Sequence, residues 1–204
     1  MTPGTPRPAY RRSTGTPRGE ARRKDLLDKV TDDLAANGLV DFSLRRAARA
    51  AGTTHKVLLY HFEGVDDLLT QAIFALRSRR IDKALAAATE GPDRRSLADS
   101  VRLVWPILVG EEARVLDQAI GLAMYDPGRY ADLARGASEQ YLPSLRAICP
   151  EPWTDRRKHE VAEMILATLR GFLVDARTSG DTEGIAAGLE ALTRALEREE
   201  AAGA

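Results

Sequence analysis

The sequence predicts an all-α protein, on three observations. Apolar residues recur three and four positions apart from Val65 almost to the end, glycines and prolines cluster between those runs, and no stretch alternates Val, Ile and Thr between hairpin turns. At 204 residues the chain has room for a small amino-terminal unit and a larger domain with its own core. Its one cysteine, Cys149, cannot form an internal disulfide, which fits a cytoplasmic location. A run of about eighteen apolar residues, the length needed to cross a bilayer, is missing, so no membrane association is expected.

Taken in order, residues 1–19 carry Pro3, Pro6, Pro8 and Pro17 with almost no apolar side chains, and are expected to form a disordered arm. Arg7, Arg11, Arg12 and Arg18 make it basic, suited to lie along phosphates or a minor groove, with a solvated tail as the alternative. No apolar stretch of a secretory signal follows these arginines. Residues 21–37 follow as a helix with Leu26, Leu27, Val30 and Leu34 inward and Gly38 just past its end.

Residues 43–62, SLRRAARAAGTTHKVLLYHF, read as two short helices meeting at a glycine turn, an arrangement that pushes the second helix into a DNA major groove. Ser43 caps the first, whose inner face is Leu44, Ala47, Ala48 and Ala51; Gly52 supplies the positive φ that ends it; Thr53 or Thr54 caps the second, which runs to about Phe62. Leu58 and Phe62 anchor that second helix, leaving Thr54, His55, Lys56, Leu59 and Tyr60 outward on a segment without acidic residues. An ordinary helical hairpin inside a helical protein is the alternative reading of these residues.

The order of elements, and above all AAGTTHKVLLYHFEGVDDLL with Gly52, Leu58, His61, Phe62, Leu68 and Leu69, resembles the tetracycline-repressor-like (TetR) family of bacterial transcriptional regulators over roughly the first third of the chain after the arm. The resemblance implies a helix-turn-helix DNA-binding domain over residues 20–64 and a helical ligand-binding and dimerisation domain over residues 65–204. By position it implies DNA contacts from Arg45, Thr54, His55, Lys56 and Tyr60, with His61 against the phosphate backbone. Two departures bear on that map: Leu59 stands where the family usually has tyrosine, and Val65 where it often has lysine.

Charge distribution agrees with a nucleic-acid partner although the net charge is zero. Residues 1–83 hold 16 Lys and Arg against 10 Asp and Glu, and the remainder holds 14 against 20, so the basic side lies at the amino end.

Beyond residue 65 the pattern predicts a long connecting helix to about Ala88, a break at Gly91 and Pro92, and a helix with Val101, Val104 and Leu108 that Pro106 should kink or end. Helices over residues 111–125, 129–148, 154–178 and 182–199 follow. The last two carry apolar stripes, and Ile165, Leu169, Leu173, Leu189, Leu192 and Leu196 are the candidates for pairing with a second copy across a two-fold axis, as the resemblance implies; core packing is the other use for such stripes. The resemblance also implies a small-molecule effector held between the connecting and middle helices, for which Trp105, Leu108, Ile120, Met124, Tyr125, Tyr141 and Phe172 are candidate lining residues.

Enzymatic chemistry finds little support. His159 and Glu160 begin a zinc-type HExxH string, but Glu163 stands where the second histidine belongs, and neither a phosphate-binding glycine loop nor a serine nucleophile motif is present. No metal or cofactor is expected. The resemblance therefore implies a homodimeric repressor that occupies a palindromic operator on double-stranded DNA and leaves it on binding an effector. A helical protein-interaction module, and less so a small helical enzyme, are the alternatives.

Overall fold

The protein is described by a computed structural model over residues 16–89, 95–110 and 114–202. Among these residues every regular element is helical: α1 (Pro17–Asn37), α2 (Leu44–Ala50), α3 (His55–His61), α4 (Val65–Thr89), α5 (Leu97–Val109), α6 (Arg114–Tyr125), α7 (Pro127–Arg135), α8 (Ala137–Ile148), α9 (Asp155–Thr178) and α10 (Thr182–Ala202). None is long and apolar enough to cross a membrane.

Helix α1 starts earlier than expected. The Thr16 hydroxyl accepts the Gly19 N–H at 3.2 Å and Pro17 occupies the first turn, where its missing N–H costs nothing, so residues 17–19 are helix rather than arm. Arg7, Arg11 and Arg12 of the expected arm lie outside the described residues, as do Gly91, Pro92 and Glu111.

Two apolar clusters hold the molecule together. The first joins Leu26, Val30 and Leu34 of α1, Ala47 and Ala48 of α2, Leu58 and Phe62, Leu68 to Leu76 of α4, and Val115, Leu116 and Ala119 of α6. The second joins Leu97, Val101 and Val104 of α5 to Val161, Ile165 and Leu169 of α9 and Leu192 and Leu196 of α10. Helix α4 serves both, contributing Leu68, Leu69, Ala72, Ile73 and Leu76 to one and Ala88 to the other. At 25 residues it is a rod of about 37 Å, long enough to link the two ends rigidly.

Several sequence expectations are corrected. The helix expected over residues 129–148 is two helices: α7 begins at Pro127 under an Asp126 cap, and Gly136 interrupts the run before α8. Pro106 does not end α5, which runs on to Val109; the residue lies on the exposed side of the helix.

The proposed pairing stripe is also corrected. Ile165 and Leu196 are 0% exposed, Leu169, Leu173 and Leu192 are buried, and half-buried Leu189 packs against the same cluster, all within one chain. Helices α9 and α10 turn these residues toward α5, so they are core. Polar ties reinforce that packing: Arg102 of α5 donates to Thr193 at 3.0 Å, Arg157 of α9 donates to the Glu199 carbonyl at 2.7 Å, and Glu200 accepts the Leu97 N–H at 2.9 Å.

Candidate functional site

Helices α2 and α3 are joined by a turn whose hydrogen bonds account for its shape. The Gly52 N–H reaches the Arg49 carbonyl at 3.1 Å and the Thr53 N–H reaches that of Ala48 at 2.9 Å, closing the end of α2 in a Schellman motif. Gly52 has φ +61°, and open space surrounds the position where a Cβ would sit, so backbone conformation and not crowding calls for glycine. Ser43 and Thr54 cap α2 and α3 by accepting the N–H groups of Arg46 and Val57.

The inner face of α3 is fixed by Leu58, fully buried, and by Phe62 just beyond its end, which also lies under the Arg23 guanidinium at 4.9 Å. Arg23 further donates to the His61 carbonyl at 3.2 Å and to the Gln71 side chain, tying α1, α3 and α4 together. What remains outward is Thr54, His55, Lys56 and Leu59, with Tyr60 half-buried beside them. These are the positions sequence reasoning selected.

Neighbouring arginines of α2 part company. Arg45 is exposed, as expected of a DNA contact. Arg46 turns back onto the protein: it pairs with Asp33 at 2.7 Å and donates to the carbonyls of Val40 at 2.7 Å and Gly38 at 2.9 Å. Its work is to hold the α1–α2 connection. His61 stands edge-on to Tyr60 at 5.0 Å, with Nδ1 buried and lacking a hydrogen-bond partner. Burial, then the positive charges of Arg23 and Arg22, hold its imidazole below the ordinary histidine pKa.

A cavity of about 70 Å³ lies between α4, α5, α6, α8 and α9. Leu108, Ile120 and Tyr141 line it, as expected. Trp105 and Phe172 do not: they meet edge to face at 6.0 Å within the second apolar cluster, where the Phe172 ring fills the space a side chain at Gly188 would need. Met124 and Tyr125, 77% and 89% exposed, sit at the far end of α6 and face away from it. Sequence reasoning missed Arg77, Arg80 and Arg170, which line the same cavity. Arg77 and Arg80 are three apart on α4, a spacing that puts both on one side, but charge on a long helix ordinarily marks a solvated face.

Arg77 is 4% exposed; it donates to Gln140 Oε1 and to the Leu133 carbonyl, each at 2.6 Å. Arg80 donates through Nη2 to the Tyr141 hydroxyl at 2.5 Å, and Arg170 donates to Ser138 at 3.1 Å. Burial pulls the guanidinium pKa of both Arg77 and Arg170 below its ordinary value, and mutual repulsion with Arg80 adds to the effect. Among the described residues no set of three His, Cys, Asp or Glu side chains is grouped to hold a metal ion.

No protein-family model and no curated protein matches the chain. Solved structures do. A transcriptional regulator from Streptomyces coelicolor A3(2) superposes with TM-score 0.62 at 24% identity, over 85% of this chain and 96% of that one. A protein named as a TetR-family transcriptional regulator from Mesorhizobium loti MAFF303099 gives TM-score 0.64 at 16% identity, over 90% and 96%. The multidrug binding protein EbrR, solved as its complex with proflavin, gives 0.61 at 20%, over 85% and 98%. The helical arrangement of the described residues, with its helix-turn-helix at α2 and α3, is the fold of TetR-family transcriptional regulators.

Proposed function

We propose that the protein is a sequence-specific DNA-binding transcriptional regulator that acts as a homodimer in the cytoplasm, represses from a palindromic operator and leaves it when a small molecule enters the cavity beside α4. The observation that carries this reading is the outward side of α3. Its opposite side is locked by Leu58 and Phe62, while Thr54, His55, Lys56 and Tyr60 offer donors and acceptors with no carboxylate among them. Leu59, exposed in the same patch, suits a thymine methyl group. Residues 20–64 serve as the reading unit.

A helix as short as α3 covers few base pairs. Two of them related by a two-fold axis read an inverted repeat with half-sites about 34–36 Å apart or a near multiple. The outward sides of α9 and α10 suit the pairing: Met164 and Val174 on α9 are 38% and 57% exposed, with Ala167 and Gly171 between them, and Ala187 and Ala191 lie on α10. Small residues there let helices of two copies approach closely. The complex of EbrR with proflavin is a precedent, on this fold, for a small-molecule ligand.

Selection of bound sequences from a random pool of duplexes tests the reading. Enrichment of an inverted repeat is the expected result. Failure to enrich any sequence at low ionic strength overturns it and leaves a helical protein-binding module as the function.

A further inference from the structure

Three arginines are among the residues that line one small apolar cavity. Arg77 and Arg80 come from α4 and Arg170 from α9, while Leu108, Ile120 and Leu166 supply hydrocarbon walls. Among the described residues none of the three forms an ion pair with a carboxylate. Glu163, exposed on α9, acts on Arg170 only through space.

Their hydrogen bonding is uneven. Arg77 is satisfied by Gln140 and the Leu133 carbonyl, and Gln140 is itself oriented by donating to Ser78 at 3.1 Å and to the Phe74 carbonyl at 3.3 Å. Arg80 has one partner, the Tyr141 hydroxyl, while its buried Nε and Nη1 have no acceptor. The Tyr141 ring is approached by two cations, Arg80 at 5.4 Å and Arg170 at 5.8 Å from its centroid. A buried guanidinium whose N–H groups lack acceptors is costly, and like charges brought together raise that cost. An anion with two acceptor oxygens removes both penalties at once, and a planar carboxylate matches guanidinium geometry.

Resting on the effector-regulated reading above, we propose that this cavity binds an apolar organic carboxylate, its oxygens held by Arg80 and Arg170 beside Tyr141 and its hydrocarbon part against Leu108, Ile120 and Leu166. Neutral and cationic molecules of the same shape are selected against, because they leave the Arg80 donors unsatisfied or add a further positive charge.

Calorimetric titration of the full chain, without DNA, tests this with two matched sets: octanoate, octan-1-ol and octylammonium, and benzoate, benzyl alcohol and benzylammonium. In at least one set the carboxylate binds roughly tenfold or more tighter than the alcohol, as expected for a hydrogen bond to a charged group, and the ammonium does not bind. Arg80→Gln lowers carboxylate affinity about tenfold and leaves alcohol affinity within about threefold. Should that variant not fold, Arg170→Gln shows the same loss. The proposal is overturned if neither carboxylate binds, if an alcohol or ammonium binds as tightly as its carboxylate in both sets, or if the variant that folds keeps full carboxylate affinity. Operator binding separates this result from the effector reading. A carboxylate that binds without changing operator affinity sinks the effector role and leaves the anion site standing, whereas release by an alcohol or an amine alone does the reverse.

Discussion

The backbone N–H of Leu39, in the connection between α1 and α2, donates to Oε1 of Gln118 on α6 at 2.9 Å. Helix α6 thus touches the helix-turn-helix end through Gln118 and Ala119 while its Leu116 and Ile120 line the cavity. Gly38, just before Leu39, has φ +69° and ψ −171°, a region open almost only to glycine, and a Cβ there would lie 2.9 Å from the same Gln118 oxygen. Gly38→Ala is expected to cost about 2 kcal/mol in urea unfolding and Gln118→Ala about 1 kcal/mol. Because the alanine at 38 also displaces the oxygen that Leu39 uses, the double variant should cost less than the sum by about 0.5 kcal/mol or more. Strict additivity would mean that the two residues do not meet.

Arg45 and Arg46 make a paired test of the interface. Arg46→Ala removes a partly buried ion pair with Asp33 and bonds to the carbonyls of Val40 and Gly38, and is expected to cost about 2 kcal/mol of stability. Arg45→Ala should change stability by no more than about 0.5 kcal/mol, yet weaken operator binding and lower its salt dependence by about one phosphate contact. Equal effects of the two on DNA affinity in fluorescence anisotropy would refute the division.

On α3, Lys56→Ala and Tyr60→Ala should each weaken operator binding about tenfold while circular dichroism stays unchanged, since Lys56 is exposed and Tyr60, half-buried, lies beside the outward residues. Unaltered affinity in both variants would move the reading surface elsewhere.

His61 sets a pH dependence. Its pKa in the folded protein is lowered from 6.5 by burial and by Arg23 and Arg22, so below pH 6.5 the unfolded chain takes up more protons at this residue than the folded one. The resulting contribution to stability is complete above pH 6.5, falls as pH drops from there toward the lowered folded pKa, and is level below it. Urea titrations of the wild type and of His61→Gln across that window should diverge on acidification, the wild type losing more. Parallel curves would show that the imidazole titrates alike in both states.

How much of this was legible in sequence follows from how local each signal is. The caps at Ser43 and Thr54, the positive φ at Gly52 and the inward pair Leu58 and Phe62 all act within one or two turns, and the helix-turn-helix stands where sequence reasoning put it. Which of Arg45 and Arg46 turns inward depends on Asp33 in another helix, and periodicity is blind to that. Part of the cavity lining was misread for the same reason. Aromatic size suggested Trp105 and Phe172, but these two satisfy each other, while the residues that do reach the cavity include arginines whose charge argues for a surface position. The Gly136 break was hidden because α7 and α8 both keep helical spacing on either side of it.

The apolar stripe of α9 offers the sharpest contrast between pattern and placement. Leu169 and Gly171 are two residues apart, yet Leu169 is 4% exposed against α5 and α10, while Gly171 opens outward with nothing within 4 Å of where a Cβ would sit. Leu169→Glu buries a charge without a partner and should unfold the protein, reading as lost helical signal and aggregation. Gly171→Glu adds a carboxylate to an open surface and replaces glycine with a better helix former, so each subunit should keep or gain stability. If the outward side of α9 is where two copies meet, that same carboxylate lands between the paired helices, and sedimentation should show a folded monomer whose operator affinity falls by roughly a hundredfold or more because only one half-site is held. A folded Gly171→Glu dimer with unchanged operator affinity would place the two-fold axis on another face of the molecule.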